Sequence, residues 1–267
     1  MEKPPYFSLN INQIGNQEES EILESSNDGE ELAETSASRK IKEHLMKLDK
    51  EAMQSIISRI NETYNLVAEE ILSDIKTHDA LTPRLIESHN GKHAIQQASL
   101  LGHMRDEKML DTNLTFAEFG AGSGEMTRYV QLAVKTPAFT LLIDRQKIKL
   151  NLDQDFKKTN WKRIIIDIKD LHLSKVENIS DHPLVVYSKH LCGVATDLTL
   201  NCVTNYHSEG RKVGGVLIAL CCHQLCKYEQ YINPEYLQEL NISKKDFEIL
   251  CYLTTWAVCG KPVKEDW

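Results

Sequence analysis

The segment 118–124 constrains the fold more than any other part of the chain. Its residues, Glu-Phe-Gly-Ala-Gly-Ser-Gly, follow the apolar run 114–117 and precede the helix-like stretch 125–134. A strand, a glycine turn and a helix in this order form a cradle for a ligand, because glycine lets the backbone turn sharply and approach the ligand without an intervening Cβ. The segment therefore predicts an α/β domain with a binding site after its first strand.

The glycine spacing separates two classes of cradle. A dinucleotide site needs glycine at the first, third and sixth positions of the turn, but the sixth position here is Glu125. An acid followed by glycine at every second position resembles instead the first motif of class I methyltransferases, whose cofactor is S-adenosylmethionine. A glycine-rich turn that binds nothing is the alternative, and the fixed spacing between a strand and a helix disfavours it. Cofactor contacts are expected at Glu118, Gly120, Ala121, Gly122 and Gly124.

Acidic residues are concentrated at the beginning of the chain. Residues 1–38 contain nine acidic side chains and one basic side chain, which accounts for the whole net charge of −8. The remaining residues carry 30 basic and 30 acidic side chains and are neutral. A neutral domain with a local basic face is compatible with RNA binding, so the acidic overall charge does not exclude a nucleic-acid partner.

The cysteines indicate a reducing compartment. The chain has seven, an odd number, and Cys221 and Cys222 are adjacent. Together with the lack of a signal peptide, this predicts free thiols and an intracellular location, in the cytoplasm or the nucleus. No run approaches the roughly 18 apolar residues needed to cross a bilayer. We therefore expect a soluble protein without a membrane partner.

Hydrophobic periodicity divides the chain into three parts. Residues 1–38 are rich in Glu, Ser and Asn and have no apolar periodicity, so we expect a disordered acidic tail. Apolar residues then recur at spacings of three and four from about 38 to 74, and a second helix is predicted at 93–104. The segment 39–110 is accordingly a helical extension, and 111–267 is the methyltransferase domain.

Strands and helices alternate in the last part, which predicts a parallel sheet with helices on both faces. The predicted strands are 114–119, 138–143, 162–167, 183–189, 213–220 and 246–256, and the predicted helices are 124–135, 145–157, 195–206 and 234–240. Class I methyltransferase sheets normally have seven strands, whereas six are predicted here. Together with the glycine motif, this predicts an α/β fold class: a Rossmann-like class I S-adenosylmethionine-dependent methyltransferase fold with an N-terminal helical extension, lacking the last strand.

Two acids follow the second and third predicted strands, at the sheet edge where ligands bind. Asp144 lies about twenty residues after the last loop glycine, where a carboxylate can accept hydrogen bonds from both hydroxyls of a ribose. A solvated acid in a turn is the alternative for Asp144. Asp167 stands where methyltransferases often contact the adenine amino group, although single acids at strand ends are common. Both acids complete the predicted cofactor site.

The fourth predicted strand ends in a group of polar residues. Lys189, His190 and Asp197 occur there together with Cys192. A core strand does not need such a group, because buried polar side chains cost stability unless they are paired. The fifth strand is expected beside the fourth and leads into His223, so that His190 and His223 could face one cavity. Lys189, His190, Asp197 and His223 are the candidate catalytic residues.

A second group, after the fifth strand, has two interpretations. Cys221, Cys222, His223 and Cys226 resemble part of a zinc site. However, adjacent ligands strain tetrahedral geometry, and no second cysteine pair lies at finger spacing. The favoured interpretation is that soft thiols pack behind a substrate pocket, with His223 as an active-site group. We therefore predict no metal.

Five strings of the sequence together resemble one family, the eukaryotic tRNA 2′-O-methyltransferases that modify the fourth nucleotide of the acceptor stem. The resemblance covers about 40–260. The strings are His-Ala-Ile-Gln-Gln-Ala-Ser-Leu-Leu-Gly at 93–102, Phe-Ala-Glu-Phe-Gly-Ala-Gly-Ser-Gly at 116–124, Lys-His-Leu-Cys-Gly-Val-Ala-Thr-Asp at 189–197, Ala-Leu-Cys-Cys-His at 219–223 and Trp-Ala-Val-Cys-Gly at 256–260.

The resemblance implies methyl transfer from S-adenosylmethionine to a ribose 2′-hydroxyl of certain tRNAs. A ribose hydroxyl is a weak nucleophile, so His190 or His223 could take its proton and Lys189 could stabilise the alkoxide. Asp197 could belong to a lysine–acid network. The resemblance also suggests that Gln97 contacts the methionine end of the cofactor; an unchanged cofactor affinity in Gln97→Ala would refute this.

The chain departs from the family pattern at both ends. Family members begin with cysteine- and histidine-rich zinc modules, whereas residues 1–91 contain no cysteine, and the sequence stops soon after the string at 256–260. We therefore expect a chain that is truncated at both ends. Two alternatives stay open: a methyltransferase with another acceptor, and a catalytically inactive tRNA-binding or interaction protein on the same fold.

Overall fold

The computed structural model describes residues 50–67, 73–87, 91–148, 160–179 and 182–256. The chain divides into two compact units, of which one is Ser73–Cys251 and the other has 50–67 and 252–256 as its described part. Helix α1 (Lys50–Val67) lies in the second unit and buries Ile56 and Ile57. The predicted acidic tail lies outside the described residues, and the predicted division at 110 stays a prediction.

Five parallel strands form the sheet of the larger unit. They are β1 (Thr115–Phe119), β2 (Phe139–Asp144), β3 (Trp161–Ile165), β4 (Leu184–Cys192) and β5 (Val213–Cys221). Their order across the sheet is β3-β2-β1-β4-β5, and every neighbouring pair is parallel. The α/β class and the first five predicted strands are thereby confirmed.

Helices precede and connect these strands. The helix predicted at 93–104 and those predicted at 124–135, 195–206 and 234–240 are confirmed with small changes at their ends. The helix predicted at 145–157 lies largely outside the described residues, and its described part, 145–148, is not helical. None of the helices in the described ranges is long and apolar enough to cross a membrane. The helices are α2 (Thr82–Glu87), α3 (Gly91–Asp106), α4 (Glu125–Val134), α5 (Val194–Ser208) and α6 (Pro234–Glu239).

The sixth predicted strand, 246–256, is wrong, because these residues belong to helix α7 (Lys244–Trp256). Residues 249–253 form a continuous apolar run, which fits a buried strand as well as a helix, but Ser243 and Asp246 form a helix start. The Asp246 carboxylate accepts from the backbone N–H and the hydroxyl of Ser243, at 3.0 and 2.8 Å, and the Asp246 N–H donates to the Ser243 hydroxyl at 3.2 Å. This reciprocal pairing provides hydrogen-bond partners for backbone N–H groups at the start of the helix, which have none within the helix itself.

Both faces of the sheet are covered, as expected for parallel strands. Ala117 and Phe119 of β1 lie in a core cluster on the face that packs against α5, whereas Phe116 lies in a second cluster with residues of α3 and α4. In β4, Val186 lies in the first cluster and Val185 lies in the second. The central strands are therefore apolar on both sides, and polar groups are confined to their ends.

The strand order places a crevice above β1 and β4. The chain steps from β1 outward to β2 and β3, and then returns to the other side of β1 to form β4 and β5. A reversal of this kind leaves a gap between the connections at the carboxyl ends of the two central strands, where open α/β sheets bind their ligands. The glycine turn follows β1 and the Lys189–Cys192 region ends β4, so both border this crevice.

Candidate functional site

The glycine turn after β1 has left-handed backbone at each of its three glycines. Their φ angles are +63° at Gly120, +50° at Gly122 and +72° at Gly124. A residue with a side chain would pay about 1–2 kcal/mol at each position. No atom lies within 4 Å of the place where a Cβ on Gly122 would stand. The turn therefore exposes bare backbone to the crevice.

Neighbouring strands hold this turn. The N–H of Gly122 donates to Asp144 Oδ2 at the end of β2, at 2.7 Å. From β3, Arg163 donates through Nη1 to the carbonyl of Gly122, at 3.0 Å. The sequence gives no signal for this role of Arg163, which is one of several basic residues near β3. Asp144 and Arg163 thus both contact the turn, and the predicted role of Asp144 toward a ribose stays a prediction.

Two acids stand at the ends of adjacent strands on this side of the sheet. Asp144 is the last residue of β2 and pairs with Ile165, the last residue of β3. Asp167 follows two residues later and accepts the N–H of Lys169 at 3.1 Å, which starts a short 3-10 helix, Ile168–Asp170. Both predicted acids therefore lie at the carboxyl edge of the sheet.

Glu118 is buried beneath the turn. Its carboxylate accepts the N–H of Thr127 at 3.0 Å and also the Thr127 hydroxyl, which is 2.7 Å from the phenol oxygen of Tyr187. Burial raises the pKa of Glu118 to about 7, although the hydrogen bonds from Thr127 act in the opposite direction. Glu118 therefore joins the end of β1 to the first turn of α4 and supports the glycine turn from below.

A β-bulge lies at the end of β4. Ser188 and Leu191 pair with β5 residues that are only two apart, so Lys189 and His190 lie opposite Ala219 alone. The extra residue breaks the strict alternation of side chains between the two faces, and bulges of this kind commonly redirect side chains near binding sites. Both redirected residues were predicted as catalytic candidates.

Lys189 joins a polar group beside α4. Its Nζ lies 4.0 Å from Oε2 of Glu125, and the same oxygen accepts a hydrogen bond from Nε2 of Gln97 at 2.8 Å. The other oxygen of Glu125, Oε1, forms an ion pair with Arg84. Burial raises the pKa of Glu125, but hydrogen bonds from Arg84 and Gln97 outweigh it, so that the net pKa is lowered. Oε1 of Gln97 is buried and has no hydrogen-bond partner in the described residues.

His190 joins a group of thiols instead. Its Nε2 is 3.2 Å from Sγ of Cys192 and 3.9 Å from Sγ of Cys221. Cys192 Sγ lies 3.3 Å from the sulfur atoms of both Cys221 and Cys222. The sequence predicted a group of Cys221 and Cys222 with His223 and Cys226, but the structure brings together His190, Cys192, Cys221 and Cys222.

The remaining predicted residues lie apart from these groups. Asp197 in the first turn of α5 is buried, which raises its pKa, and it accepts the N–H of Ile232 at 3.1 Å. His223 is exposed and begins the short 3-10 helix His223–Leu225. Cys226 contacts Cys251, whose thiol donates to the Cys226 carbonyl at 3.8 Å. The candidate catalytic residues are thus distributed over four environments rather than one.

Comparison with known proteins identifies the family. A family model described as methyltransferase TRM13 matches residues 95–266, from α3 to the end of the described chain and beyond. The chain belongs to this family. The match includes the glycine turn, both strand-end acids and the ends of β4 and β5. Arg84, which pairs with Glu125, precedes the region matched by the TRM13 model.

Curated TRM13 proteins are similar to the chain over much of its length. A protein named tRNA:m(4)X modification enzyme TRM13 from Debaryomyces hansenii is 40% identical over 70% of this chain and 47% of its own length. The protein of the same name from Schizosaccharomyces pombe is 38% identical over 84% of this chain and 64% of its own length. The Homo sapiens homolog is 30% identical over 63% of this chain and 44% of its own.

The chain spans about half the length of the first of these relatives. No solved structure matches it.

Proposed function

We propose that the chain is an S-adenosylmethionine-dependent tRNA ribose 2′-O-methyltransferase that acts on the fourth nucleotide of the acceptor stem. Membership of the TRM13 family and the tRNA-modifying names of its relatives support this function. The observation that carries it is the contact between the glycine turn and the Asp144 carboxylate in the crevice above β1 and β4. We assign the sheet to the class I methyltransferase fold, in which this crevice holds the cofactor.

The residues of the crevice fit S-adenosylmethionine. Oδ2 of Asp144 accepts from Gly122 and Oδ1 accepts from the N–H of Gln146 at 2.9 Å, which leaves free lone pairs on both oxygens for a ribose diol. The open space beside Gly122 admits a ligand against the backbone. Asp167 lies at the next strand end, where it can accept from an adenine amino group. Together these residues would hold the nucleoside half of the cofactor.

The polar group at α4 fits the methionine half. Gln97 presents a buried oxygen without a partner in the described residues, and such an atom costs free energy until it accepts a hydrogen bond. An ammonium group is a suitable donor, and Arg84 can pair with a carboxylate. We assign Glu118 an indirect role, because its oxygens are engaged by Thr127 beneath the turn.

Transfer requires an activated hydroxyl next to the cofactor. When bound, S-adenosylmethionine supplies an electrophilic methyl group. Lys189 lies at the end of β4, and its side chain is only 21% exposed, so its positive charge is screened little by water. We assign Lys189 to the stabilisation of the developing alkoxide. His190 and His223 are the candidate bases, and Asp197 acts in positioning the segment around Ile232.

Labelled methyl transfer tests this function. The purified 267-residue chain is incubated with methyl-labelled S-adenosylmethionine and unmodified tRNA transcripts, and the RNA is then hydrolysed in alkali. A 2′-O-methyl group blocks cleavage, because the neighbouring hydroxyl is the attacking group, so we expect the label in an alkali-resistant dinucleotide. Label in ordinary mononucleotides would indicate base methylation. Label in protein or in another RNA would indicate a different acceptor.

Binding separates an inactive scaffold from an active enzyme. Calorimetry with S-adenosylmethionine and its demethylated product should show one site per chain. No heat of binding from a folded chain, together with no transfer, would support a non-catalytic protein on this fold and contradict the proposed function.

A further inference from the structure

The group of three thiols and one imidazole at the ends of β4 and β5 has the composition of a metal site. One ligand atom from each of His190, Cys192, Cys221 and Cys222 lies within 4.8 Å of the other three. Four of the six distances between them run from 3.2 to 3.9 Å. Four tetrahedral ligands of zinc, with Zn–S of about 2.3 Å and Zn–N of about 2.0 Å, are separated by about 3.5–3.8 Å. The four distances therefore lie within about 0.5 Å of those between zinc ligands.

Strand geometry brings the first three ligands together. Cys192 and Cys221 are directly paired across β4 and β5, and paired residues of parallel strands point to the same face. His190 lies two residues before Cys192, inside the bulge, and its Nε2 is 3.2 Å from the Cys192 sulfur atom. The register thus pairs two of the ligands, and the bulge brings the third beside them.

The fourth ligand depends on an unusual backbone conformation. Consecutive residues of a strand point to opposite faces, so Cys222 in extended backbone would point away from Cys221. Cys222 instead has φ of +47° and ψ of +48°, in the left-handed region that residues with a side chain rarely adopt. This turn brings both sulfur atoms to 3.3 Å from Cys192. It also removes the objection that adjacent cysteines cannot share one tetrahedral ion.

Packing around the next glycine holds this backbone in place. Gly193 follows Cys192 and has φ of +50°, and a Cβ there would stand 2.4 Å from the carbonyl carbon of Leu225. The 3-10 helix His223–Leu225 therefore packs directly on the start of α5. The contact between Gly193 and Leu225 therefore holds the segment after β5 close to the end of β4, and it involves none of the four ligands.

We propose that His190, Cys192, Cys221 and Cys222 bind one zinc ion in a closed Cys₃His site that ties the end of β4 to the end of β5. Three thiolates and an imidazole match the ligand preference of zinc and fill its four positions, which is typical of structural sites. A disulfide would use two of the thiols and would leave the third thiol and His190 without a role.

The site lies next to the glycine turn. The carbonyl oxygen of His190 would be 3.3 Å from a Cβ placed on Gly120, so the backbone of this ligand borders the turn directly. Zinc on His190 would fix that backbone and, through the bulge, the direction of Lys189. A zinc-bound imidazole cannot take a proton, so His190 would leave the set of candidate bases and His223 would remain.

Metal analysis of the tag-free chain tests the site. The chain is produced in zinc-supplemented medium and purified with a non-thiol reductant and without chelator, and its zinc content is measured by inductively coupled plasma mass spectrometry. We expect one zinc per chain. Zinc X-ray absorption should show three sulfur neighbours at about 2.3 Å and one nitrogen at about 2.0 Å. This measurement uses the unaltered protein, so it does not depend on any variant folding.

Matched cysteine variants test the ligand set. Cys222→Ser removes a proposed ligand, and Cys226→Ser removes a thiol four residues away that lies outside the group. Mutation of a residue that only hydrogen-bonds to a metal ligand lowers metal affinity by up to about 100-fold. Because Cys222 is a proposed ligand itself, we expect Cys222→Ser to lower the zinc affinity by more than this. Cys226→Ser should leave the zinc affinity unchanged.

Three results would overturn the proposal: a folded chain that takes up no zinc from an equimolar zinc solution, a Cys192–Cys221 or Cys192–Cys222 disulfide in the reduced preparation, or a zinc content that falls equally in both variants. Methyl transfer is not part of this readout, so the zinc site and the proposed function can fail independently.

Discussion

The backbone nitrogen of Gly122 lies 2.7 Å from Oδ2 of Asp144, so the turn that ends β1 and the acid that ends β2 are in direct contact. This contact places a carboxylate beside bare backbone in the crevice between β1 and β4. It joins two features that lie more than twenty positions apart in the sequence into a single surface for a ligand with a diol.

Asp144→Asn should weaken cofactor binding. The amide keeps one acceptor oxygen, so its NH₂ group replaces the oxygen that accepts either from Gly122 or from Gln146, and the charge that would bind a ribose diol is lost. Hydrogen bonds to charged groups contribute about 1.5–3 kcal/mol, so the affinity for S-adenosylmethionine should fall roughly 10- to 100-fold by calorimetry. Asp170→Asn, an exposed acid beyond β3, is the control and should bind normally. Equal affinities in the two variants would remove Asp144 from the site.

Gly122→Ala should separate backbone strain from ligand contact. Gly122 and Gly210 both have positive φ, +50° and +79°, and at neither position would an added Cβ meet another atom within 4 Å. Alanine should therefore cost about 1–2 kcal/mol of folding stability at either position. Only Gly122→Ala should also lose cofactor affinity, by about tenfold or more, because its methyl group would occupy the ligand space. A similar affinity in both variants would show that no ligand approaches the turn.

Glu118 should give the stability of the fold a characteristic pH dependence. Its pKa is about 7 in the folded chain and about 4.5 in the unfolded chain, so the folded state binds more protons between these values. Stability from this residue is therefore lost as the pH rises from about 4.5 through 7, by roughly 3 kcal/mol in total. Glu118→Gln does not titrate and should lack this loss.

Urea unfolding of the wild type and of Glu118→Gln at pH 5 and pH 8 measures the difference. The free energy of unfolding of the wild type should fall relative to that of the variant at the higher pH. A constant difference between the two proteins would mean that Glu118 is ionised throughout this range.

Lys189→Gln should lower the rate of methyl transfer more than the affinity for the cofactor. Removing the cation beside Glu125 leaves the developing alkoxide unstabilised, so the single-turnover rate of methyl transfer should fall by about 10²- to 10⁴-fold. Cofactor affinity should change only several-fold. Lys227→Gln removes an exposed lysine after β5 and should keep the full rate. A rate loss that is fully explained by weaker cofactor binding would reassign Lys189 to binding alone.

The sequence predicted those features that depend on local patterns. The glycine turn, Asp144 and the five strands were recognisable because spacing and apolar runs are local signals. Helix α7 was mistaken for a strand because its apolar residues 249–253 are consecutive, and a short run of this kind fits a buried strand or a buried helix equally well. The contact between Ser243 and Asp246, which caps the start of the helix, distinguishes the two.

The grouping of side chains at the site could not be predicted in the same way. The bulge at Lys189 and His190 depends on register with β5, and the left-handed backbone of Cys222 depends on packing after β5. Both are tertiary effects. They join His190 to cysteines about thirty positions later, whereas His223 and Cys226, which are close in sequence, lie elsewhere.

Methyl transfer to a matched pair of tRNAs tests the central claim most directly. The two transcripts are identical except that one carries a single 2′-deoxy nucleotide at the fourth position of the acceptor stem. We predict that the ribose form accepts the labelled methyl group and that the deoxy form does not, while both bind the chain equally. Equal labelling of the two tRNAs would contradict a ribose 2′-hydroxyl acceptor at that position.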